Sequence, residues 1–377
     1  MSSTTKLLCA VLLICILVLC GCHKQDSRTT VQFASWGSKS EIDILKPLLS
    51  EFEKENPDIK VDFMHIPQNY FQKIHLLFAS NTAPDVIFIN NLYLPIYANA
   101  GLLEELNTDD NFYPQSLNAL SWQGKLYAIP RDVSNLVIYY NKDMFLKKHI
   151  PFPKQNWTFD DFLQTSKKLT DKNTFGISFE EDPLFYLPYL MSNGGGFLPE
   201  EINKAESQEA INFYADLRNK YHTAPKKNES ASATMAQLFL QERIGMYLSG
   251  RWMVPKLREE ASFDWDIAQF PKGTKGSIVQ LDASGWAISK SSKHKAEALK
   301  LINYLSDEKS IEKFTQSGLI VPARKDVANS QSFLNGQKPK NAKVFIEIIE
   351  TSKPTPVTVN YREILDNLKN DMEKRFN

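Results

Sequence analysis

Apolar positions recur with two different periods over the first hundred residues. Residues 31–34 alternate apolar and polar and lead into Ser35-Trp36-Gly37-Ser38, which predicts a strand ending in a turn. Ile42, Leu45, Leu48, Leu49 and Phe52 then repeat along one helix face, and Asn56-Pro57 marks the stop. Pro47 interrupts that face, so the helix is expected to start late or to kink. Residues 59–65 alternate again as a second strand, and residues 70–80 read as a second helix. Residues 86–89 are wholly apolar, as in a parallel strand buried on both faces. Strand and helix thus take turns, the pattern of an α/β layer whose ligands collect at the carboxyl ends of its strands.

The middle of the chain is more helical. Thr158 with Asp161 three residues on is a capping-box start for a helix over 159–169. Asp182-Pro183 pairs an N-cap with a proline at the first helical position, and Asn193-Gly194 closes the apolar stretch 184–191. Pro188 inside it predicts a kink. Residues 210–221, 233–241 and 296–305 read as helices and 311–314 as an amphipathic turn. Residues 223–232 read as a polar loop, and 329–343 as a polar stretch of low order.

The N-terminus has its own logic. Lys6 precedes an apolar run over residues 7–19, the length of a signal-peptide core and too short to span a bilayer. It ends in Leu19-Cys20-Gly21-Cys22, which resembles the bacterial lipobox, so residues 1–21 are expected to be a lipoprotein signal peptide and Cys22 the lipidation site. The alternative is an ordinary secretory signal cut nearby. Residues 22–30 then form a polar tether. All four cysteines fall within the first 22 residues, so a chain cut before Cys22 keeps one thiol and no internal disulfide.

Composition narrows the classes further. Lys+Arg and Asp+Glu both number 44, and this neutrality disfavours a nucleic-acid partner. Apolar residues at 42% and charged residues at 23% describe a globular chain, and 377 residues suit two lobes. The six histidines are scattered, so neither a metal nor another cofactor is expected.

Several segments, in order, resemble the extracellular solute-binding proteins of ABC importers, in the sugar-binding branch that includes maltose-binding protein. They are Ala83-Pro84-Asp85-Val86-Ile87-Phe88, Gly101-Leu102-Leu103-Glu104-Glu105-Leu106 and Gly124-Lys125-Leu126-Tyr127-Ala128-Ile129-Pro130 with Tyr139-Tyr140-Asn141-Lys142-Asp143. Asn156-Trp157-Thr158-Phe159-Asp160-Asp161-Phe162, Gly245-Met246-Tyr247-Leu248-Ser249-Gly250-Arg251-Trp252 and Ser284-Gly285-Trp286-Ala287-Ile288-Ser289 complete the series. The resemblance implies an α/β, two-lobed periplasmic-binding-protein fold (type II-like) with a hinge between the lobes. One lobe would comprise residues 31–132 plus 283–324 and the other 139–278 plus 325–377, with crossings near 133–138, 279–282 and 324–326. It also implies a monomer that captures a sugar or oligosaccharide by closing its cleft, without catalysis. The monomer would deliver that ligand to the transmembrane permease of an ABC importer, from a lipid anchor in the bacterial cell envelope, facing the periplasm or the exterior.

A sugar binder needs aromatic plates for C–H faces and polar groups for hydroxyls. Trp36 and Trp252 are expected in the cleft, with Ser38 beside the first. Trp286 reads equally as cleft or core, and for Tyr186 core packing is at least as good a reading. Asn90 and Asn91 follow the buried strand, and Ser134 and Ser284 lie near the crossings. Asp132 and Asp282 read equally as ligand contacts or hinge caps. Arg251 and Arg324 carry forks suited to hydroxyls or a carboxylate. The rival readings are a surface-anchored glycan hydrolase, for which Glu180-Glu181-Asp182 and Asp264-Trp265-Asp266 supply acids, and a binder of a non-sugar solute such as glycerol phosphate or a polyamine. Clustered acids of this kind usually form a solvated face.

Overall fold

A computed structural model describes residues 27–230 and 232–376. Cys22 and the signal segment lie outside the described residues. Strands fall in the order β1 (Thr29–Ser35), β2 (Ile59–His65), β3 (Val86–Asn90), β4 (Ser121–Trp122), β5 (Lys125–Leu126), β6 (Ile129–Ser134) and β7 (Leu136–Asn141). They continue with β8 (Phe175–Ile177), β9 (Ile244–Gly250), β10 (Trp265–Ala268), β11 (Gln280–Ile288), β12 (Val321–Pro322) and β13 (Lys353–Pro354). The larger sheet runs β12-β6-β11-β3-β1-β2, with β13 attached to β11, and the smaller runs β10-β7-β9-β8. In the larger sheet β1 is parallel to β2 and β3, whereas β11 is antiparallel to β3 and β6. The chain leaves the larger sheet at Ser134 and enters the smaller one at Leu136, so only Asn135 separates the two. Asn135 is buried and donates its Nδ2 to the Phe345 carbonyl at 2.9 Å.

Eight helices of nine or more residues cover these sheets: α1 (Lys39–Glu55), α2 (Tyr70–Ala79), α3 (Phe159–Leu169), α4 (Pro183–Asn193), α5 (Ala205–Asn219), α6 (Lys295–Leu305), α7 (Glu308–Gln316) and α8 (Tyr361–Phe376). Several boundaries follow from side-chain chemistry. Thr158 and Asp161 form the reciprocal capping box of α3. Asp182 caps α4 through the Leu184 N–H, and α4 ends at Gly194, whose φ of 88° places it in the left-handed region.

α1 departs from expectation. It starts at Lys39, capped by Ser38, and continues through Pro47. Pro47 lies on the exposed side, while Ile42, Leu45, Leu48, Leu49 and Phe52 are buried as one stripe. Burial of that stripe outweighs the single backbone hydrogen bond the proline removes. The polar loop expected over 223–232 contains a short helical turn, Lys227–Ser230.

Candidate functional site

The carboxyl ends of β1 and β3, the start of β11 and the end of β6 meet along one edge of the larger sheet. Register decides what they present there. Ser284 lies opposite Asn90 on one side and Asp132 on the other, and Asp282 lies opposite Ser134. Opposed residues, and residues two apart on a strand, share a face. Asn90, Asp132, Ser134, Asp282 and Ser284 therefore project together as a polar strip. The same face continues through Phe88 and Trp286, which are also directly opposed, so the strip borders an apolar floor.

The strip is organised by its carboxylates. Asp282 Oδ1 accepts from Asn91 Nδ2 at 2.9 Å and from Thr355 Oγ1 at 2.7 Å. Burial pushes the Asp282 carboxyl up, and those two hydrogen bonds oppose the shift. Asn91 itself is buried, with Oδ1 accepting the Ala283 N–H at 3.1 Å, so it ties β3 to β11 and supports Asp282 from behind. Asp132 and Glu41 are both bonded to Arg131. Burial raises the Asp132 carboxyl as well, with Arg131 opposing. The Ser134 and Ser284 hydroxyls are half-buried and bond to no described residue.

Aromatic surface stands on both sides. Trp36 follows β1, half-buried, with its ring 4.3 Å from Phe88, 5.0 Å from Tyr70 and 5.4 Å from Phe71. In the smaller sheet β8 and β9 are parallel, so residues 178–182 and 250–252 leave it at one common end. That is the end where β7 begins, Leu136 opposite Gly250, next to the passage from the larger sheet. Trp252 stands there with 41% of its surface exposed. Glu180 occupies the loop after β8, which Tyr214 fixes by donating its hydroxyl to the Glu180 carbonyl at 2.8 Å. Burial, reinforced by Asp182 and Glu181 and opposed by Arg218, pushes the Glu180 carboxyl up to about 7. α8 packs on α4 and α5, and its Arg362 reaches over the Tyr93 ring beyond β3, 5.6 Å from the centroid.

The remaining expected residues lie elsewhere. Trp286 is fully buried between Phe33 and Phe88, at 5.5 and 4.6 Å. Tyr186 is buried against Phe376 and Tyr214. Ser38 is exposed and its side chain caps α1. The Arg251 side chain turns inward, donates Nε to the Gly318 carbonyl at 3.0 Å and lies over Phe333 and Phe345. Gly318 follows α7 and precedes β12 of the larger sheet, so Arg251 connects the end of β9 to the other sheet's side of the molecule. Burial lowers this guanidinium to about 10. Arg324 is bonded to Asp326 at 2.7 Å and to the Ser306 carbonyl at 3.3 Å, over the Phe112 ring.

Glu41, Arg131, Thr355 and Arg362 are additions that the sequence pattern does not single out. Glu180 belongs to the acid cluster read above as a solvated face; Glu181 is instead paired with Arg218 and Lys227, and Glu180 is half-buried. β8 spans only three residues, too short to signal that Glu180 follows a strand. Among the described residues no cluster of three or more His, Cys, Asp or Glu could hold a metal ion. No helix among them is long and apolar enough to cross a membrane.

The chain resembles known proteins over most of its length. The family model described as bacterial extracellular solute-binding protein matches residues 38–312. The chain is 24% identical over 385 residues to the galactooligosaccharide-binding protein of Bacillus subtilis, covering 94% of this chain and 89% of that one. It superposes on the ABC substrate-binding protein Lmo0181 from Listeria monocytogenes, solved in complex with cycloalternan, with a TM-score of 0.83 and 26% identity, covering 93% and 94% of the two chains. Maltose-bound MalE3 of T. maritima shares the fold, with a TM-score of 0.79 at 21% identity over 92% of this chain and 94% of that one.

Proposed function

Because the chain belongs to the bacterial extracellular solute-binding protein family, we propose that it is the carbohydrate receptor of an ABC importer. It takes an oligosaccharide between the two sheet-centred lobes, closes by rotation about Asn135 and its neighbouring crossings, and releases the ligand unaltered to a membrane permease. Periplasmic binding proteins are the standard case of hinge closure around a ligand. Cys22 carries the lipid that holds the protein at the membrane.

The observation that carries this reading is the polar strip with Trp36 beside it and exposed Trp252 at the smaller sheet's end, next to the passage between the sheets. Hydroxyls meet Asn90, Asp132, Ser134, Asp282 and Ser284, and sugar faces stack on Trp252 and the outer edge of Trp36. Glu180 approaches from the smaller sheet. Asn91 holds Asp282 from behind and Trp286 packs under Phe88, whereas Ser38, Tyr186, Arg251 and Arg324 support the elements around the site. The relatives named above bind galactooligosaccharide and cycloalternan, which supports a short neutral oligosaccharide as ligand. Neutral hydrogen bonds contribute about 0.5–1.5 kcal/mol each, so several of them plus stacking are needed for the roughly 8 kcal/mol of a micromolar complex.

The test is thermal unfolding of soluble Cys22→Ser protein with a panel of oligosaccharides, a polyamine and glycerol phosphate. Stabilisation by at least one oligosaccharide, with the sugar recovered intact, is the expected result. Stabilisation by the polyamine or glycerol phosphate alone would reject the ligand class, and recovery of a cleaved sugar would reject the binding role.

A further inference from the structure

One residue of β6 has no partner in the register. Asp132 faces Ser284, but the next residue of β11, Gly285, faces Pro130, so Arg131 is inserted as a β-bulge. Gly285 makes the close approach feasible, since a Cβ there would lie 2.1 Å from the Ile129 carbonyl oxygen. In a regular strand Arg131 and Asp132 would point to opposite faces. The bulge brings both to the face of the polar strip, where the guanidinium lies 4.2 Å from the centroid of Phe88.

The surroundings of Arg131 leave it few options. Its side chain is only 7% exposed, and Phe314 and Trp286 complete an aromatic enclosure at 5.0 and 5.7 Å. Hydrogen bonds are therefore left to the guanidinium edge. Nε donates to Asp132 Oδ2, and a terminal N–H donates to Glu41 Oε1. These two carboxylates, one on α1 and one on β6, are the charged groups facing it. β3, β11 and α7 present Phe88, Trp286 and Phe314 instead. One cation between two anions leaves net negative charge. Each carboxylate also keeps a second oxygen, Asp132 Oδ1 and Glu41 Oε2, that accepts from no described residue. A buried ion pair is best stabilised when charge is matched and the remaining lone pairs are hydrogen-bonded, and here neither holds. Two idle acceptor oxygens beside the strip call for neutral donors.

We propose that Arg131 is a positioning residue that holds Glu41 and Asp132 as a paired acceptor for two hydroxyls of one bound sugar unit. The proposal rests on the carbohydrate reading above and adds a selection rule: the site accepts neutral sugars with two hydroxyls at that spacing and rejects sugars carrying a carboxylate.

The test uses Cys22→Ser protein and its Arg131→Met, Arg131→Lys and Glu41→Gln variants. Carbon-13 NMR of the ligand-free proteins follows the Asp132 carboxyl. Its titration should move up by at least one pH unit in Arg131→Met and return at least halfway in Arg131→Lys; an unmoved titration would overturn the positioning role. Calorimetry with maltotriose, galactooligosaccharide and oligogalacturonate between pH 5 and 8 follows binding. For the neutral sugar that binds, Arg131→Met should raise Kd at least tenfold and shift the pH at which binding fails in step with the NMR titration, while oligogalacturonate stays unbound by the parent. A folded Arg131→Met with parental Kd and pH profile, or oligogalacturonate bound as tightly as the neutral sugars, would refute the proposal. If Arg131→Met does not fold, Glu41→Gln decides the matter: Kd should rise at least fivefold at unchanged Tm, and unchanged Kd counts against it. No binding of any sugar by the parent would sink the carbohydrate reading, while the NMR titration still decides whether Arg131 governs the pair.

Discussion

Gly250→Ala separates the binding plate from the stability of the fold. Gly250 has φ −102° and ψ −175°, a conformation open to alanine, so the backbone is not strained by the change. The obstacle is Trp252. A Cβ at position 250 would lie 2.0 Å from Cζ3 and 2.4 Å from Cε3 and Cη2 of that ring. Carbon atoms pack at about 3.5–4.0 Å, so the ring must swing outward by more than an ångström. With 41% of its surface exposed it has solvent to swing into. The ring's open surface is on the order of 100 Å² if a Trp side chain offers about 150–250 Å². A sugar face covering half of it gains about 1.3 kcal/mol at ~25 cal/mol per Å², close to tenfold in affinity. Gly250→Ala should therefore raise Kd roughly five- to tenfold by calorimetry with the best sugar of the panel. Trp252→Ala sets the upper limit, and Tm should hold within about 2 °C for both. Acrylamide quenching of tryptophan fluorescence should increase in Gly250→Ala, reporting the displaced ring. Increased quenching together with parental affinity would refute the role given to Trp252.

Other expectations test the supports of the site. Glu180 titrates near 7, above its ordinary value, so the folded state favours its protonated form. Its contribution is present below the unfolded value and turns unfavourable as pH rises toward and through about 7; Glu180→Gln should flatten the fall in Tm between pH 5 and 8, and an unchanged slope contradicts the assignment. Phe376 is fully buried against Phe179, Tyr186 and Tyr214, so Phe376→Ala should cost about 3–5 kcal/mol in denaturant unfolding, and a loss below 1 kcal/mol would show that α8 is dispensable. Arg362→Ala removes the cation over Tyr93 and should weaken sugar binding two- to fivefold, consistent with about 0.5–1 kcal/mol at a partly exposed site; calorimetry showing no change would exclude that contact from the bound state.

What the chain spells out locally, the structure repeats. Asp182-Pro183 and Asn193-Gly194 mark both ends of α4, and Thr158 with Asp161 marks the start of α3, because caps satisfy backbone groups with neighbours in sequence. The polar strip was legible for a related reason. Asn90 closes an apolar run, and Asp132, Ser134, Asp282 and Ser284 lie near the expected crossings, which the structure sets side by side. Pro47 misled because its cost is local, whereas the buried stripe that outweighs it is recognised only against the sheet. Aromatic residues were harder to read for the same cause. Trp252 and Trp286 both head short apolar runs, but one stands 41% exposed just after β9 and the other is sealed between Phe33 and Phe88. Which of them meets solvent is decided by strands distant in sequence. The bulge at Arg131 was equally hidden, since it exists only in the pairing with β11.

The division of groups between the two sheets constrains how closure is driven. A ligand shifts a conformational equilibrium only by its difference in affinity for the two states. Asn90, Asp132, Ser134, Asp282 and Ser284 belong to one sheet, so contacts to them alone stabilise open and closed forms equally. The difference must come from the other side, from Trp252, Glu180 and, through α8, Arg362. Trp252 is adjacent to Arg251, whose buried guanidinium reaches the Gly318 carbonyl on the larger sheet's side. On the proposed reading, a sugar that pulls Trp252 inward acts on the segment paired with Leu136, next to the passage at Asn135. The proposed receptor would then couple binding to closure through residues 250–252, and a ligand too short to touch both the strip and Trp252 should bind without the compaction that small-angle scattering would register for a longer one.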